Sequence, residues 1–229
     1  MNTYMAMYER VVNKYSGEYG PYFDAYKAKT GMREVSLLGR AGEGIWMTGE
    51  LLASALIEKG KRCKVIFMMP GERRNTLTRS FLRFADVPVD FPVSWIHSAD
   101  DIIILEEELL TFNSPVLDVE VPVITSRMDP NGFCVINSPK APCELGGDIA
   151  GKPVTVDATQ ISIKYLGNPF FMNMAVMGAY LAVRKDILIE EMEAAIRNFI
   201  NPRGHKPFAG DNGEMNIKAL RAGYASVKF

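Results

Sequence analysis

Two short stretches carry groups suited to gripping an anion. The first is the glycine-rich run Gly39-Arg-Ala-Gly-Glu-Gly44, which follows Glu34-Val-Ser-Leu-Leu38 and precedes a helical pattern from Ile45 to Lys59. A turn of this kind between a strand and a helix lets backbone amides approach a phosphate, and the helix N-terminus attracts negative charge. It fits neither nucleotide code. The dinucleotide fingerprint needs glycine at its third position, where Ala41 stands, and an acid after the second strand, where Met68-Met69-Pro70 stands. A P-loop needs Lys-Ser/Thr after the last glycine, where Ile45-Trp46 follow. Glu43 also sets a carboxylate among the amides. The run is either an anion cup or a tight turn that lets strand and helix pack. The second stretch is Gly71-Glu-Arg-Arg-Asn75, followed by Arg79 and Arg83. Guanidinium forks bind phosphate or carboxylate bidentately; the other reading is a solvated loop in which Glu72 pairs with one of the arginines.

No nucleophile–base arrangement is visible, and no residue is assigned a catalytic role. The two histidines, His97 and His205, are far apart, and His97 reads as a packed or exposed side chain rather than a base. The three cysteines, Cys63, Cys134 and Cys143, form no CxxC pair, which argues against a zinc site or an iron–sulfur cluster held by this chain alone. Glu106-Glu-Glu108 follows an apolar strand and reads as acids at the positive end of a helix. With 26 Lys and Arg against 27 Asp and Glu among 229 residues, the charge is near balance and points to no nucleic acid. No apolar run is long enough for a membrane span, and the first residues do not read as a secretory leader. A cytoplasmic location is the expectation.

The elements that position these groups follow from periodicity. Glu34–Leu38, Cys63–Met69, Thr78–Phe84, Val121–Thr125, Phe133–Asn137 and Val154–Asp157 read as strands. Asp101-Ile-Ile-Ile-Leu105 is continuous in the manner of a central strand covered on both faces. Helices are expected over Ile45–Lys59, Asn173–Arg184 and Glu214–Ala222. Another, capped by Asp186, would bury Leu188, Met192, Ala195, Ile196 and Phe199. Strands alternating with helices predict an α/β domain over residues 33–229, with an open, mostly parallel sheet and helices on both faces. Residues 1–32 form a separate arm with six of the nine tyrosines. It packs on its own domain or docks on another subunit, where tyrosine is enriched.

The order of segments resembles the gamma subunit of the pyruvate:ferredoxin oxidoreductase family of 2-oxoacid oxidoreductases. Family members show GRGGQG before a long helix, matched by Leu37–Leu56, and a GPERRGAPV-like stretch running into RISDEPI, matched by Gly71–Val89. An apolar strand with an acidic end follows (DIIILEEELL), then Val135-Ile-Asn-Ser138 and Val156-Asp-Ala-Thr-Gln-Ile161. Last come a helix beginning Asn173-Met-Ala-Val-Met-Gly-Ala179 and the ending Asn216-Ile-Lys-Ala-Leu-Arg-Ala-Gly-Tyr224. The resemblance implies a subunit of an enzyme that cleaves a 2-oxoacid and transfers the acyl group to coenzyme A. Thiamine diphosphate and 4Fe–4S clusters would sit in alpha, beta and delta partner subunits, with ferredoxin or NAD as acceptor. This chain would bind no cofactor alone and would lie near the coenzyme A entrance. The residues facing that co-substrate would be Gly39, Arg40, Gly42, Gly44, Arg73, Arg74 and Asn75. Departures from the family pattern are Ala41 for glycine, Glu43 for glutamine and Asn75 for glycine. The competing readings are a pure scaffold subunit and a free-standing flavin- or nucleotide-binding α/β protein.

Overall fold

In the computed structural model, residues 21–22, 24–68, 76–89, 99–111, 113–114, 119–199 and 210–229 are described. The main strands are β1 (Arg33–Arg40), β2 (Arg62–Met68), β3 (Leu77–Ala85) and β4 (Asp101–Ile104). A small hairpin, β5 (Asn113–Ser114) and β6 (Val119–Glu120), precedes β7 (Phe133–Asn137) and β8 (Lys152–Val156). Six strands form one sheet in the order β2-β3-β1-β4-β7-β8. Neighbours from β1 through β4 and β7 to β8 pair in parallel, and β3 runs antiparallel to both β1 and β2. The expected mostly parallel α/β sheet is thus the observed one.

Two cores explain the strand sequences. Val35, Leu37, Leu82, Ile103, Val135 and Val154 face one side. Against them pack α1 (Ile45–Glu58), α3 (Ala158–Leu166), α4 (Met172–Val183), α5 (Ile189–Asn198) and α6 (Asp211–Tyr224). Leu38, Ile102, Ile104, Cys134 and Ile136 face the other side. There a 3-10 helix (Glu107–Thr111) and α2 (Val121–Ser126) cover them through Leu109, Leu110 and Val121. A strand buried on both faces needs an unbroken apolar run, as Ile102-Ile-Ile-Leu105 provides.

Residues Val121–Ser126 correct the sequence expectation: they are helical, not a strand. The β-branched run favours extended backbone. Yet β4 and β7 already pair directly with each other, so their connection must cross over a face. Pro122 lacks the N–H a ladder requires but suits a helical first turn. Asp186 is likewise not a cap. The helix starts after Leu188, whose N–H is accepted by Glu191 at 2.7 Å, while Asp186 pairs with Arg33.

The described part of the arm lies on its own chain. In helical residues 24–30, the Tyr26 hydroxyl donates to the Pro88 carbonyl at 3.1 Å and Lys27 donates to Asp100 at 2.8 Å. Tyr26 also packs on Met32, Ala85 and Val89. Residues 1–20 lie outside the described residues.

Helix α4 is buried from Asn173 through Leu181 because it lies between the sheet and α6. Two glycines permit the α4–α6 approach: a Cβ on Gly178 would sit 2.0 Å from the Leu220 carbonyl oxygen, and one on Gly223 would sit 1.9 Å from that of Ala175. Backbone cannot retreat as a flexible side chain can. Gly178→Ala should therefore destabilise the chain by about 1–3 kcal/mol. Gly146→Ala, where an added Cβ meets nothing within 4 Å, should change stability by less than about 0.5 kcal/mol. Denaturant midpoints of the two variants check this.

Candidate functional site

The carboxyl ends of β1, β4, β7 and β8 line one edge of the sheet. From β1 the chain leaves through α1 toward β2, and from β4 it leaves toward β7, so the order reverses between β1 and β4. Open α/β sheets bind ligands in the crevice at such a point.

The glycine-rich turn stands at that crevice. Gly39 has no room for a side chain, since a Cβ would lie 2.7 Å from Ile45 and 2.9 Å from the Glu43 carboxylate. Gly44 has φ +79°, and a Cβ there would sit 2.6 Å from Asn173 Nδ2. Gly42 is exposed at the tip. The Arg40 N–H donates to Glu43 Oε2 at 2.6 Å, the Ala41 N–H to the Thr76 carbonyl at 2.8 Å, and the Glu43 N–H to the Arg40 carbonyl at 3.1 Å. Three amides of the turn are thus engaged by the chain's own acceptors. The Arg40 guanidinium reaches across the crevice to Glu106 at the end of β4.

Of the arginine stretch, Arg73, Arg74 and Asn75 lie outside the described residues, as do His97 and His205. Thr76, the first described residue after that stretch, touches the turn through Ala41, and Leu77 stands opposite Arg40 in the β1–β3 register. Arg83 is buried and donates to Glu34 at 2.6 Å.

The charges along this edge differ in character. Burial raises the Glu43 carboxyl, with a hydrogen bond and repulsion from Glu106 adding to it, against the pull of the Arg40 N–H and side chain; it is pushed up to about 8. The folded state therefore favours neutral Glu43, and this contribution to stability is lost as pH rises from its ordinary 4.5 toward about 8. Glu107 is held below the usual carboxylate range by Lys140 and by Ser138, whose hydroxyl donates to it at 2.6 Å. The expected acidic helix start is present, with Glu107 and Glu108 opening the 3-10 helix.

Sequence reasoning gave no role to Asn137, which organises the rest of the edge. Its Nδ2 donates to the Leu105 carbonyl and to Thr159 Oγ1, both at 2.9 Å, and its Oδ1 accepts the Ala158 N–H at 2.9 Å. Asp157 completes the α3 cap by accepting the Gln160 N–H at 3.0 Å. The available signal was a lone amide side chain closing the apolar run Phe133-Cys-Val-Ile-Asn137. Among the described residues no group of three or more His, Cys, Asp or Glu is placed to hold a metal, and no helix is long and apolar enough to cross a membrane.

Residues 34–226 match the pyruvate ferredoxin/flavodoxin oxidoreductase family. The chain belongs to that family. It is 30% identical over 193 residues to the pyruvate synthase subunit PorC of Methanocaldococcus jannaschii, covering 84% of this chain and 96% of the relative. It is 27% identical over 196 residues to the common gamma subunit of the pyruvate/ketoisovalerate oxidoreductases of Thermococcus kodakarensis, with the same coverages. The crystal structure of the pyruvate oxidoreductase subunit PORC of Thermotoga maritima superposes with a TM-score of 0.68 at 25% identity, covering 86% of this chain and 97% of that one. The likeness extends over nearly the whole length of separate gamma-type subunits, so this oxidoreductase-family chain is a gamma-type subunit.

Within this gamma-type fold, Asn137 joins β4, β7 and α3. Asn137→Ala should cost about 1–3 kcal/mol by stripping buried partners. Hydrogen exchange should show reduced protection of the Ala158 amide, while the Gln160 amide, held by Asp157, keeps its protection relative to global stability.

Proposed function

We propose that this chain is the gamma subunit of a thiamine-diphosphate-dependent 2-oxoacid oxidoreductase complex. The reaction is 2-oxoacid plus coenzyme A plus oxidised acceptor giving acyl-coenzyme A, carbon dioxide and reduced acceptor. The observation that carries this reading is the match over residues 34–226 together with near-complete coverage of separate gamma subunits. Thiamine diphosphate and 4Fe–4S clusters belong to alpha, beta and delta partners, with ferredoxin or NAD as acceptor. The gamma chain completes the assembly in the cytoplasm near the coenzyme A entrance, and the tyrosine-rich arm of residues 1–32 contributes a subunit contact.

Within that role Arg73 and Arg74 contribute more to coenzyme A binding than the glycine-rich turn does. Guanidinium–phosphate hydrogen bonds are worth about 1.5–3 kcal/mol each, whereas the amides of Arg40, Ala41 and Glu43 already have acceptors. Those occupied amides also favour the competing reading of a pure scaffold.

Mass spectrometry of the native complex should find alpha-, beta- and delta-type chains with this one, and the isolated chain should turn over no 2-oxoacid. In the reconstituted complex, Arg74→Ala should raise the KM for coenzyme A more than Glu43→Gln does. Unchanged coenzyme A dependence in both variants supports the scaffold. An unchanged Arg74→Ala beside an inactive Glu43→Gln places the contact on the turn.

A further inference from the structure

The two edges of the main sheet are finished differently. At β8 the chain closes its own edge: the Thr155 N–H donates to the Lys228 carbonyl at 3.1 Å, and the Lys228 N–H donates to the Thr155 carbonyl at 2.9 Å. At the other edge β2 pairs with β3 at every position from Arg62↔Ala85 to Met68↔Arg79. On its outer side it pairs with no strand among the described residues. No residue of β2 is fully buried, whereas all nine of β3 are. An unpaired edge offers a row of backbone N–H and C=O groups to another strand, and proteins blunt such edges with proline, bulges or short strands. The seven residues of β2, Arg-Cys-Lys-Val-Ile-Phe-Met, contain no proline, and their register with β3 is unbroken.

What β2 does carry is charge in one half only. Side chains alternate along a strand, so Arg62 and Lys64 share one face, while Cys63, Val65 and Phe67 share the other, where Cys63 and Val65 pack on the core. Like charges directly opposite one another across a pair of strands are destabilising. An identical strand laid parallel and in register would set Arg62 on Arg62 and Lys64 on Lys64. An antiparallel pair centred on Lys64 would oppose two ammonium groups, and one centred on Cys63 would oppose Arg62 and Lys64. Centred on Val65, the conflict disappears and the whole strand pairs. Arg62 then faces Met68, Cys63 faces Phe67, Lys64 faces Ile66 and Val65 faces itself. Each cation can lay its aliphatic stem over an apolar side chain. The same register brings together exposed apolar groups. Phe67 is 39% exposed, and Ile57 on α1 is 56% exposed. Ile57 and Cys63 line one recess beside the start of β2, and the Phe67 that faces Cys63 from the other copy arrives at that recess.

We propose that β2 is a docking edge for a second copy of this chain, paired antiparallel about a two-fold axis at Val65, so that the two main sheets become one. Such a contact is isologous and closes on itself, leaving no edge for further chains. It depends on the strand alone and not on the reaction proposed above.

The test is the oligomeric state of the full chain, by sedimentation equilibrium at micromolar concentrations, with variants on β2. The native chain should form a dimer in equilibrium with monomer. Ile66→Glu sets an anion opposite Lys64 of the other copy, and Ile66→Lys sets a cation there. Because the pair occurs twice in the dimer, the first should tighten association and the second loosen it, each by roughly 2- to 10-fold. Phe67→Cys, at an exposed position, should give a disulfide-linked dimer on mild oxidation, and peptide mapping should find the new thiol joined to Cys63 of the second copy. Adding Cys63→Ser should abolish that link. A chain that stays monomeric overturns the proposal. A dimer whose affinity does not move in opposite directions in the two Ile66 variants, or whose introduced thiol does not join Cys63, also overturns it. Neither measurement uses a partner subunit or a substrate, so both outcomes are independent of the assigned reaction.

Discussion

A single buried carboxylate fixes the edge of the sheet opposite the candidate site. Asp101 is fully buried at the start of β4. It accepts from Arg184 at 2.8–3.0 Å, from Arg33 at 2.6 Å, from the Tyr180 hydroxyl at 3.1 Å and from the Phe133 N–H at 2.8 Å. An ion without water is tolerated only when its lone pairs are filled and its charge balanced, so these donors are obligatory to one another. Through them the starts of β1, β4 and β7 and the end of α4 are bound to one point, and Arg33 extends the network to Asp186 ahead of α5. The neighbouring pair Glu34–Arg83 joins β1 to β3. Burial pushes Glu34 up to about 7 despite Arg83 and Lys27, and burial and the charge of Asp101 raise the Tyr180 hydroxyl well above its ordinary value.

Helix α4 carries that constraint across the molecule. Its twelve residues span about 18 Å at the usual rise of 1.5 Å per residue. The far end delivers Arg184 to Asp101, and the near end delivers Asn173 to the glycine-rich turn. Gly178, between them, lets α6 press directly on the helix backbone. A helix fixed at one end by charge and along its length by close backbone contact has little freedom to shift. The position of Asn173 against Gly44 is therefore set by packing remote from the turn. The turn itself is held from other elements too, by the Ala41 N–H on the Thr76 carbonyl and by the Arg40 guanidinium on Glu106.

Much of this was legible in the sequence, and the part that was not has physical reasons. Ile102-Ile-Ile-Leu105 announced a central strand because burial on both faces leaves no polar position. The α4 and α6 segments carried the family resemblance with no reason given for their glycines, and the structure supplies one in the backbone contacts at Leu220 and Ala175. The helix Val121–Ser126 was hidden because its local preference is extended, and only the direct pairing of β4 with β7 forbids a strand there. Asp186 looked like a cap because caps are local, whereas its partner Arg33 lies 153 residues away. Asn137 was unassigned, and Glu106 was read only as part of an acidic helix start, for the same reason: each joins elements distant in sequence, to Thr159 and to Arg40 respectively.

The carboxylates of the candidate edge show why counting charges along a chain does not give their chemistry. Glu43, Glu106 and Glu107 are the same side chain close together on one crevice, but their environments diverge. Glu107 is met by the Lys140 ammonium and the Ser138 hydroxyl from the end of β7, which together favour its anion. Glu106 takes the Arg40 guanidinium. Glu43 receives the remaining backbone N–H of Arg40 and loses solvent as the turn folds over Gly39, so its neutral form is favoured. One residue type thus becomes a fixed anion on one side of β4 and a carboxyl favoured in its neutral form on the other, and the deciding difference is the loss of solvent at Glu43 against the hydrogen bonds from Lys140 and Ser138 at Glu107. A glutamine at position 43 would supply the same donor and acceptor as a protonated glutamate but could never lose its proton.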